Sequence, residues 1–333
     1  MNRQLLPAAL LLAASAPLFT APASLFAASN PAPHQLLATP ETQAHIFGDR
    51  TEPLQLEVDF VAQMNVPTQG HLSLRWQSKS RWWSKAVMGD FQQITMQNGE
   101  KIYTAENRPA PIRIVELTRL LHFAHAPEEL TVKKVKERVE NGVALACLQL
   151  EWQRVKGESH EVCVNPDARE IASDQWQSTP DEQRRELFSD YVDFRGYRFP
   201  RKLQLEVNGS RVLLATVESL KAAPLDESLL VPPDGAIERR QCADMVRAKP
   251  LKTPQPAYPR SDSQSRLMGD TSVAMTILAD GSVTGIRLIG AATHSMDDAT
   301  LATLKTWKFK PAMCNSQPIV SDVRVIVSFR LHE

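Results

Sequence analysis

Residues 256–281 read PAYPRSDSQSRLMGDTSVAMTILADG, and this stretch predicts a short helix followed by a strand and a turn. Pro259 suits the first turn of a helix, because proline lacks the N–H that a helix start leaves unpaired. We therefore expect a helix over residues 260–267, ended by Gly269. The next apolar residues alternate with smaller or polar neighbours, which is typical of a half-buried strand that turns at Asp280-Gly281. They are Val273, Met275 and Ile277.

The residues after this turn complete an order of helix, strand, strand, helix and strand. Residues 283–289 are expected to return as the second strand, and residues 296–307 to form a helix. Ser295 and Asp298 approximate a capping box at the start of that helix. The last strand has the clearest alternation in the chain, with five residues expected to face inward: Val323, Val325, Val327, Phe329 and Leu331.

Upstream, residues 51–222 have the pattern of an antiparallel sheet. Asn-Gly pairs, which are strong hairpin signals, begin at Asn98, Asn141 and Asn208. Residues 112–123 carry apolar residues at helical spacing, so one helix is expected to cover the sheet. The fold class is therefore α+β, with an N-terminal antiparallel curved sheet, a helix, and a small C-terminal αββαβ domain. Alternation in the first strand predicts one buried face, formed by Leu54, Leu56, Val58, Phe60, Ala62 and Met64.

The N-terminus and the middle of the chain set the domain boundaries. Residues 1–28 have the features of a secretory signal peptide, with Arg3 ahead of an apolar run and small residues near Ala28. We expect export to the periplasm; the alternative is an uncleaved segment that anchors the protein in the inner membrane. Seven prolines between Pro224 and Pro259 predict a linker over residues 223–254, ahead of a domain over residues 255–333.

Export makes the four cysteines informative, because cysteines in an oxidising compartment usually pair. Four cysteines allow three connectivities. A turn expected at residues 155–157 is equidistant from Cys147 and Cys163, which places these two opposite each other in a hairpin. We therefore pair Cys147 with Cys163 and Cys242 with Cys314, and buried free thiols are the alternative.

Charge and motifs argue against several classes of function. Lys plus Arg and Asp plus Glu are both 38, so the formal net charge is zero and no nucleic-acid partner is expected. The chain lacks nucleotide-binding and nucleophile-elbow motifs, so we expect neither enzymatic activity nor a cofactor. His122 and His125 have the spacing of metal ligands, but no third ligand accompanies them, so no metal site is expected.

The C-terminal stretch resembles the TonB C-terminal family of energy transducers. The resemblance covers residues 254–331 and rests on the Tyr258-Pro259 opening, the GDTSVAMTILADGSV hairpin, the LATLKTWKFKP helix end and the terminal apolar strand. It implies a periplasmic adaptor whose edge strand, at residues 320–329, accepts an extended peptide from an outer-membrane receptor or another envelope protein. The partner-binding residues that it implies are Tyr258, Pro259, Val320, Asp322, Arg324, Ile326 and Ser328.

The N-terminal sheet is similar to the half-barrel of LolA and related lipoprotein-sorting and lipid-carrier proteins, through its topology and its GHLSLRW and RWW runs. Five of the six tryptophans lie in this domain, where they either form its core or line a pocket for an acyl chain. The two leading hypotheses are therefore peptide binding by the C-terminal edge and lipid or lipoprotein carriage by the N-terminal sheet. A third is a structural envelope protein whose edge strand is covered by a second copy.

Overall fold

The computed structural model describes residues 46–47, 52–122, 130–152, 159–179, 181–240, 242 and 244–331, without the side chains of Leu130, Trp152 and Thr179. The expected signal peptide, His125 and the turn at residues 155–157 lie outside these ranges. Within them, every helix is too short or too polar to span a membrane.

Most of the described chain is β-strand. The strands are β1 (Leu54–Gln63), β2 (Pro67–Ser78), β3 (Arg81–Met88), β4 (Phe91–Asn98), β5 (Lys101–Glu106), β6 (Leu130–Glu140), β7 (Val143–Trp152), β8 (Ser159–Asn165), β9 (Glu170–Thr179), β10 (Glu182–Phe194), β11 (Tyr197–Val207), β12 (Ser210–Ala222), β13 (Ile237–Arg240), β14 (Lys249–Lys252), β15 (Gly269–Ile277), β16 (Val283–Gly290), β17 (Lys308–Lys310), β18 (Ala312–Cys314), β19 (Gln317–Ile319) and β20 (Ser321–Phe329). The helices are α1 (Ile112–Leu121), α2 (Arg260–Gln264) and α3 (His294–Leu304), with a 3-10 helix at Glu227–Leu230.

The first thirteen strands form one antiparallel sheet, in which neighbours in the chain are mostly neighbours in the sheet. Its order is β13-β5-β4-β3-β2-β1-β12-β11-β10-β9-β8-β7-β6, so the pairing of β1 with β12 joins two meanders. The turns at Asn141-Gly142 and Asn208-Gly209 have positive φ at both residues. This is the geometry that favours Asn-Gly in two-residue hairpins, so these hairpin predictions are confirmed.

Apolar residues that alternate with polar ones along the strands bury one face of this sheet against helix α1. Every second residue from Leu54 to Ala62 is at most 3% exposed, as predicted. Met64 was expected to join them, but it lies beyond the end of β1 and is exposed, because the pairing of β1 with β2 ends at Gln63. The helix contributes its own apolar stripe to the same core, through Ile114, Leu117, Leu120 and Leu121.

The segment expected to be a linker is instead folded onto its neighbours. Leu230 of the 3-10 helix packs in one cluster with Met96. Strand β13 pairs with β5 and so becomes an edge of the large sheet, and β14 pairs with β17. Proline is tolerated at sheet edges, where one side of a strand needs no partner, so a proline-rich segment can still contribute short edge strands.

The C-terminal residues have the predicted αββαβ order, with the short strands β17, β18 and β19 added between α3 and β20. Strand β15 is central, between β16 and β20. Its inward residues Val273 and Ile277 are fully buried and pack in one cluster with Trp307. The indole Nε1 of Trp307 donates a hydrogen bond to the Pro254 carbonyl at 2.9 Å. Trp307 is therefore a core residue of this domain.

Both predicted disulfides are present. Cys147 and Cys163 lie directly opposite each other on β7 and β8 and are bonded. The Cys242–Cys314 bond joins the chain that leaves β13 to strand β18, across 72 residues of sequence. The second bond therefore ties the end of the large sheet to the C-terminal domain.

Candidate functional site: an edge strand and an adjoining pocket

Strand β20 is an edge strand of the three-stranded C-terminal sheet. One of its sides pairs with β15 along its whole length, and its other side has no strand partner among the described residues. Its inward residues face the helices, with Val327 and Phe329 buried. An edge of this kind exposes unpaired backbone N–H and C=O groups, which can pair with an added strand.

Tyr258 and Pro259 support one end of this strand. The Tyr258 ring packs edge-on against Phe329, with ring centroids 5.4 Å apart, and its hydroxyl donates to the Leu267 carbonyl. Pro259 is the N-cap residue of α2. Both residues are half-buried, and it is Tyr258 whose ring contacts the end of β20.

The outward residues predicted to bind a partner fall into two groups along β20. Asp322, near the start, accepts hydrogen bonds from Arg239 of β13 at 3.0 and 3.1 Å and from Thr276 at 2.7 Å. Ile326 and Ser328, near the end, are exposed. Val320 is half-buried and precedes the strand. The outward face is therefore engaged by the protein itself at Asp322 and is exposed at Ile326 and Ser328.

Asp322 is held in its charged form. Burial alone would raise the pKa of its carboxyl, but hydrogen bonds from Arg239 and Thr276, together with the positive charge of Arg287, keep that pKa below its usual value. The carboxylate is thus a stable link between β13 of the large sheet and the C-terminal domain.

An apolar pocket lies between helix α1 and strands β2 to β4, and C-terminal residues complete its wall. Its volume is about 720 Å³, within the range of small-molecule sites in proteins. Arg287 and Asp322 are the C-terminal residues that line it. The apolar lining is Leu72, Leu74, Trp76, Trp82, Ala110, Ile114, Val115 and Leu121. Trp76 and Trp82 thus belong to a pocket wall, whereas Trp176 stacks on His160.

A polar cavity of about 410 Å³ adjoins this pocket and shares Gln93, Arg287 and Asp322 with it. The other charged residues in its wall are Glu106, Arg239 and Arg324. The Nε of Arg287 is buried and has no hydrogen-bond partner among the described residues. Arg287 was not among the residues predicted from the sequence, where its signal is that it is the one charged residue in the otherwise uncharged strand VTGIRLIG.

His122 lines the apolar pocket, where its Nδ1 lies 2.8 Å from the Thr118 carbonyl oxygen. Among the described residues, the acid, His and Cys side chains close enough to share a metal are Cys147, Glu161 and Cys163. Two of these are the disulfide cysteines, so this group is a covalent cross-link beside a carboxylate.

Comparisons with known proteins find a family model and several solved structures that are similar to parts of the chain. Residues 254–331 match the family model of the Gram-negative bacterial TonB protein C-terminal. No curated protein matches the chain. Among solved structures, the TonB C-terminal domain of Pseudomonas aeruginosa is similar at 23% identity, over 28% of this chain and 95% of that one, with a TM-score of 0.24.

Two further solved structures are similar over larger parts of the chain. A LolA superfamily protein from Nitrosomonas europaea is 11% identical over 59% of this chain and 95% of that one, with a TM-score of 0.39. A chain of the Pseudomonas aeruginosa MucA/MucB complex is 10% identical over 68% of this chain and 71% of that one, with a TM-score of 0.27. The protein thus combines a large antiparallel sheet with a TonB-like C-terminal domain at residues 254–331.

Proposed function

We propose that this protein is a periplasmic, non-enzymatic binding protein of the TonB type. Its C-terminal domain binds extended peptide segments of outer-membrane transport proteins by strand addition at β20, and so takes part in TonB-dependent transport. The observation that carries the proposal is the free side of β20 in a domain that matches the TonB C-terminal family.

The open half of β20 has the features of a strand-addition site. Backbone groups on a free edge supply affinity without regard to sequence, and side chains beside that edge supply selectivity. Ile326 is 70% exposed, so it offers an apolar contact for a side chain of the added strand. Asp322 is already bonded to Arg239, so we place the peptide contacts at Ile326 and Ser328.

Amide hydrogen exchange of the full-length mature protein tests this proposal. Synthetic peptides that copy periplasmic segments of outer-membrane transport proteins should protect amides of β20. Ile326→Glu should weaken peptide binding about tenfold, because it places a charge beside the added strand. Leu251→Glu is the matched control, since Leu251 is also 70% exposed but lies on β14.

Three results would count against strand addition. Protection at sites other than β20, or equal peptide affinities of the two variants, would contradict it directly. A dimer in light scattering whose β20 amides are protected without peptide would favour the structural hypothesis instead.

A second candidate function is favoured by the apolar pocket. We propose as this alternative that the N-terminal sheet carries a lipid or the acyl chain of a lipoprotein. The pocket supports it because its apolar lining, its volume and its position beside polar groups are typical of small-molecule sites.

Native mass spectrometry of protein purified from the periplasm tests the carrier function. The expected result is an added mass that organic extraction removes and that matches a lipid. A mass equal to that of the mature polypeptide before extraction would count against it.

A further inference from the structure

The strand register places two arginines in one row on the outer face of the C-terminal sheet. Ala274 of the central strand β15 pairs with Arg287 of β16 on one side and with Arg324 of β20 on the other. Neighbouring strands lie about 4.8 Å apart, so the two arginine backbones are about 10 Å apart. Alanine between them has no long side chain to fill the gap, so the two guanidinium groups can reach one ligand.

Among the described residues, neither arginine forms an ion pair with a nearby carboxylate. Arg239 donates hydrogen bonds to both carboxylate oxygens of Asp322. Glu106 accepts a hydrogen bond from Gln93 at 2.7 Å. The wall of the polar cavity therefore holds three arginines and two carboxylates, an excess of one positive charge.

Arg287 also has an unmet hydrogen-bonding requirement. Its Nε is buried and lacks a partner among the described residues, and buried polar groups are rarely left unpaired. Because Arg287 lines both the polar cavity and the apolar pocket, a ligand that satisfies this Nε would lie at the boundary between them. Guanidinium groups suit carboxylates and phosphates, which they bind through paired, charge-assisted hydrogen bonds.

We infer that the protein binds an anionic amphiphile, with its apolar chain in the pocket and its carboxylate or phosphate group on Arg287 and Arg324. The inference rests on the second candidate function, since it needs an acyl chain in the pocket. It adds that the C-terminal domain recognises the head group, so the binding site is built by both domains. Replacement of the C-terminal arginines should then change ligand choice while the apolar lining of the pocket stays the same.

Quenching of tryptophan fluorescence by a brominated chain tests this inference, because Trp76 and Trp82 line the pocket. The probes are dibromostearate and its uncharged methyl ester, titrated below their aggregation limits into the full-length, lipid-free protein. Dibromostearate should bind at least about tenfold more tightly than the ester, and Arg287→Gln or Arg324→Gln should remove that difference. Arg211→Gln is the control, because Arg211 is exposed on β12 and lines neither cavity.

Separate outcomes identify which step is wrong. Equal binding of acid and ester by every variant would overturn head-group recognition and leave the acyl pocket intact. No quenching by either probe, or equal quenching in Val115→Phe, whose larger side chain fills the pocket, would overturn the acyl pocket itself. If inorganic phosphate, at the same concentration as dibromostearate, displaces dibromostearate, the arginines form a site for free anions. That result would overturn the inference that one ligand places its chain in the pocket and its head group on the arginines.

Discussion

Glu116 is a charged residue placed almost wholly inside the protein, on the helix that covers the large sheet. It is 5% exposed, and its carboxylate pairs with Arg113 of the same helix and with Arg184 of β10. Burial alone would disfavour the charge of Arg184, but the carboxylates of Glu116 and Glu182 raise the pKa of its guanidinium. Glu116 therefore joins α1 to the sheet through charge as well as apolar packing.

Glu116→Gln should lower the free energy of unfolding by about 3 kcal/mol, because it removes the buried carboxylate with which both Arg113 and Arg184 pair. Urea unfolding followed by tryptophan fluorescence measures this loss. Asp90→Asn is the control: its carboxylate pairs with Arg108 but is 84% exposed, so that change should cost less than about 1 kcal/mol. Similar losses in the two variants would contradict a structural role for the buried pair.

A second polar group, around His71, lies on the exposed face of β1 and β2. The imidazole Nδ1 is 2.6 Å from Asp59 Oδ1, and Nε2 is 3.0 Å from Glu57 Oε2. Ser73 completes a set of residue types found in hydrolases, but its hydroxyl donates to Glu57 at 2.6 Å and lies 3.3 Å from the imidazole. The hydroxyl proton is thus directed to a carboxylate, which makes the group an electrostatic cluster rather than an activated nucleophile.

The pH dependence of stability should report on this cluster. Burial alone would lower the pKa of His71, but Asp59 and Glu57 raise it above its usual value. A raised pKa in the folded state adds stability that is full below the unfolded value of about 6.5 and is lost as pH rises through the folded value. The stability difference between wild type and His71→Gln should therefore be larger at about pH 6 than at about pH 9. An NMR titration midpoint of His71 at or below 6.5 would contradict this.

At the scale of elements, helix α3 begins two residues earlier than the sequence predicts. We expected Ser295 to cap this helix, but Thr293 is the cap, and its hydroxyl accepts a hydrogen bond from the Met296 backbone N–H. The Ser295 hydroxyl instead donates to Asp262 of α2. The capping prediction was wrong because the helix begins at His294 rather than at Met296, so Thr293 is the residue placed to accept a hydrogen bond from the first turn.

The turn between β15 and β16 has a tighter steric requirement than an ordinary hairpin. Gly281 has φ +80°, and a Cβ atom added there would lie 2.0 Å from the Phe309 carbonyl oxygen. The Phe309 N–H in turn donates to the Gly281 carbonyl at 2.9 Å. The turn is therefore packed directly against β17, which follows α3.

Gly281→Ala should destabilise the protein more than Gly209→Ala does. Gly209 has φ +75° and open space around it, so its alanine variant should lose only the conformational contribution of about 1 kcal/mol. The Gly281 variant has the same conformational cost and must also displace the β17 backbone. Paired thermal unfolding of the two variants measures the difference, and equal losses would show that the close approach to Phe309 has no energetic consequence.

At the scale of the whole molecule, the segment after the large sheet fastens the two domains together. Strand β13 extends the large sheet, and from it Arg239 reaches Asp322 on β20. Two residues after β13, Cys242 is bonded to Cys314 of β18. Both domains belong to one compact unit, so a ligand that is bound by one domain can also contact the other.

The two disulfides should differ in their contribution to stability. On the chain-entropy account, the bond between Cys242 and Cys314 closes a 72-residue separation and should contribute about 4 kcal/mol, against about 3 kcal/mol for Cys147–Cys163 with its separation of 16. Urea unfolding of the two double serine variants measures both losses. A larger loss for the Cys147–Cys163 pair would show that local strand geometry outweighs loop closure.

Local chemistry was enough to predict the αββαβ order of the C-terminal domain, the buried face of β1 and four inward residues of β20, which ends at Phe329 before the fifth predicted residue, Leu331. These features depend on period-two alternation and turn residues, which act between residues close in the chain. Pairing of β13 with β5 and the contribution of Arg287 and Asp322 to the pocket depend instead on contacts between segments more than one hundred residues apart. The alternation of apolar and polar residues specifies which face of a strand is buried, but not which distant strand or side chain packs against it. Only the folded chain therefore reveals these contacts.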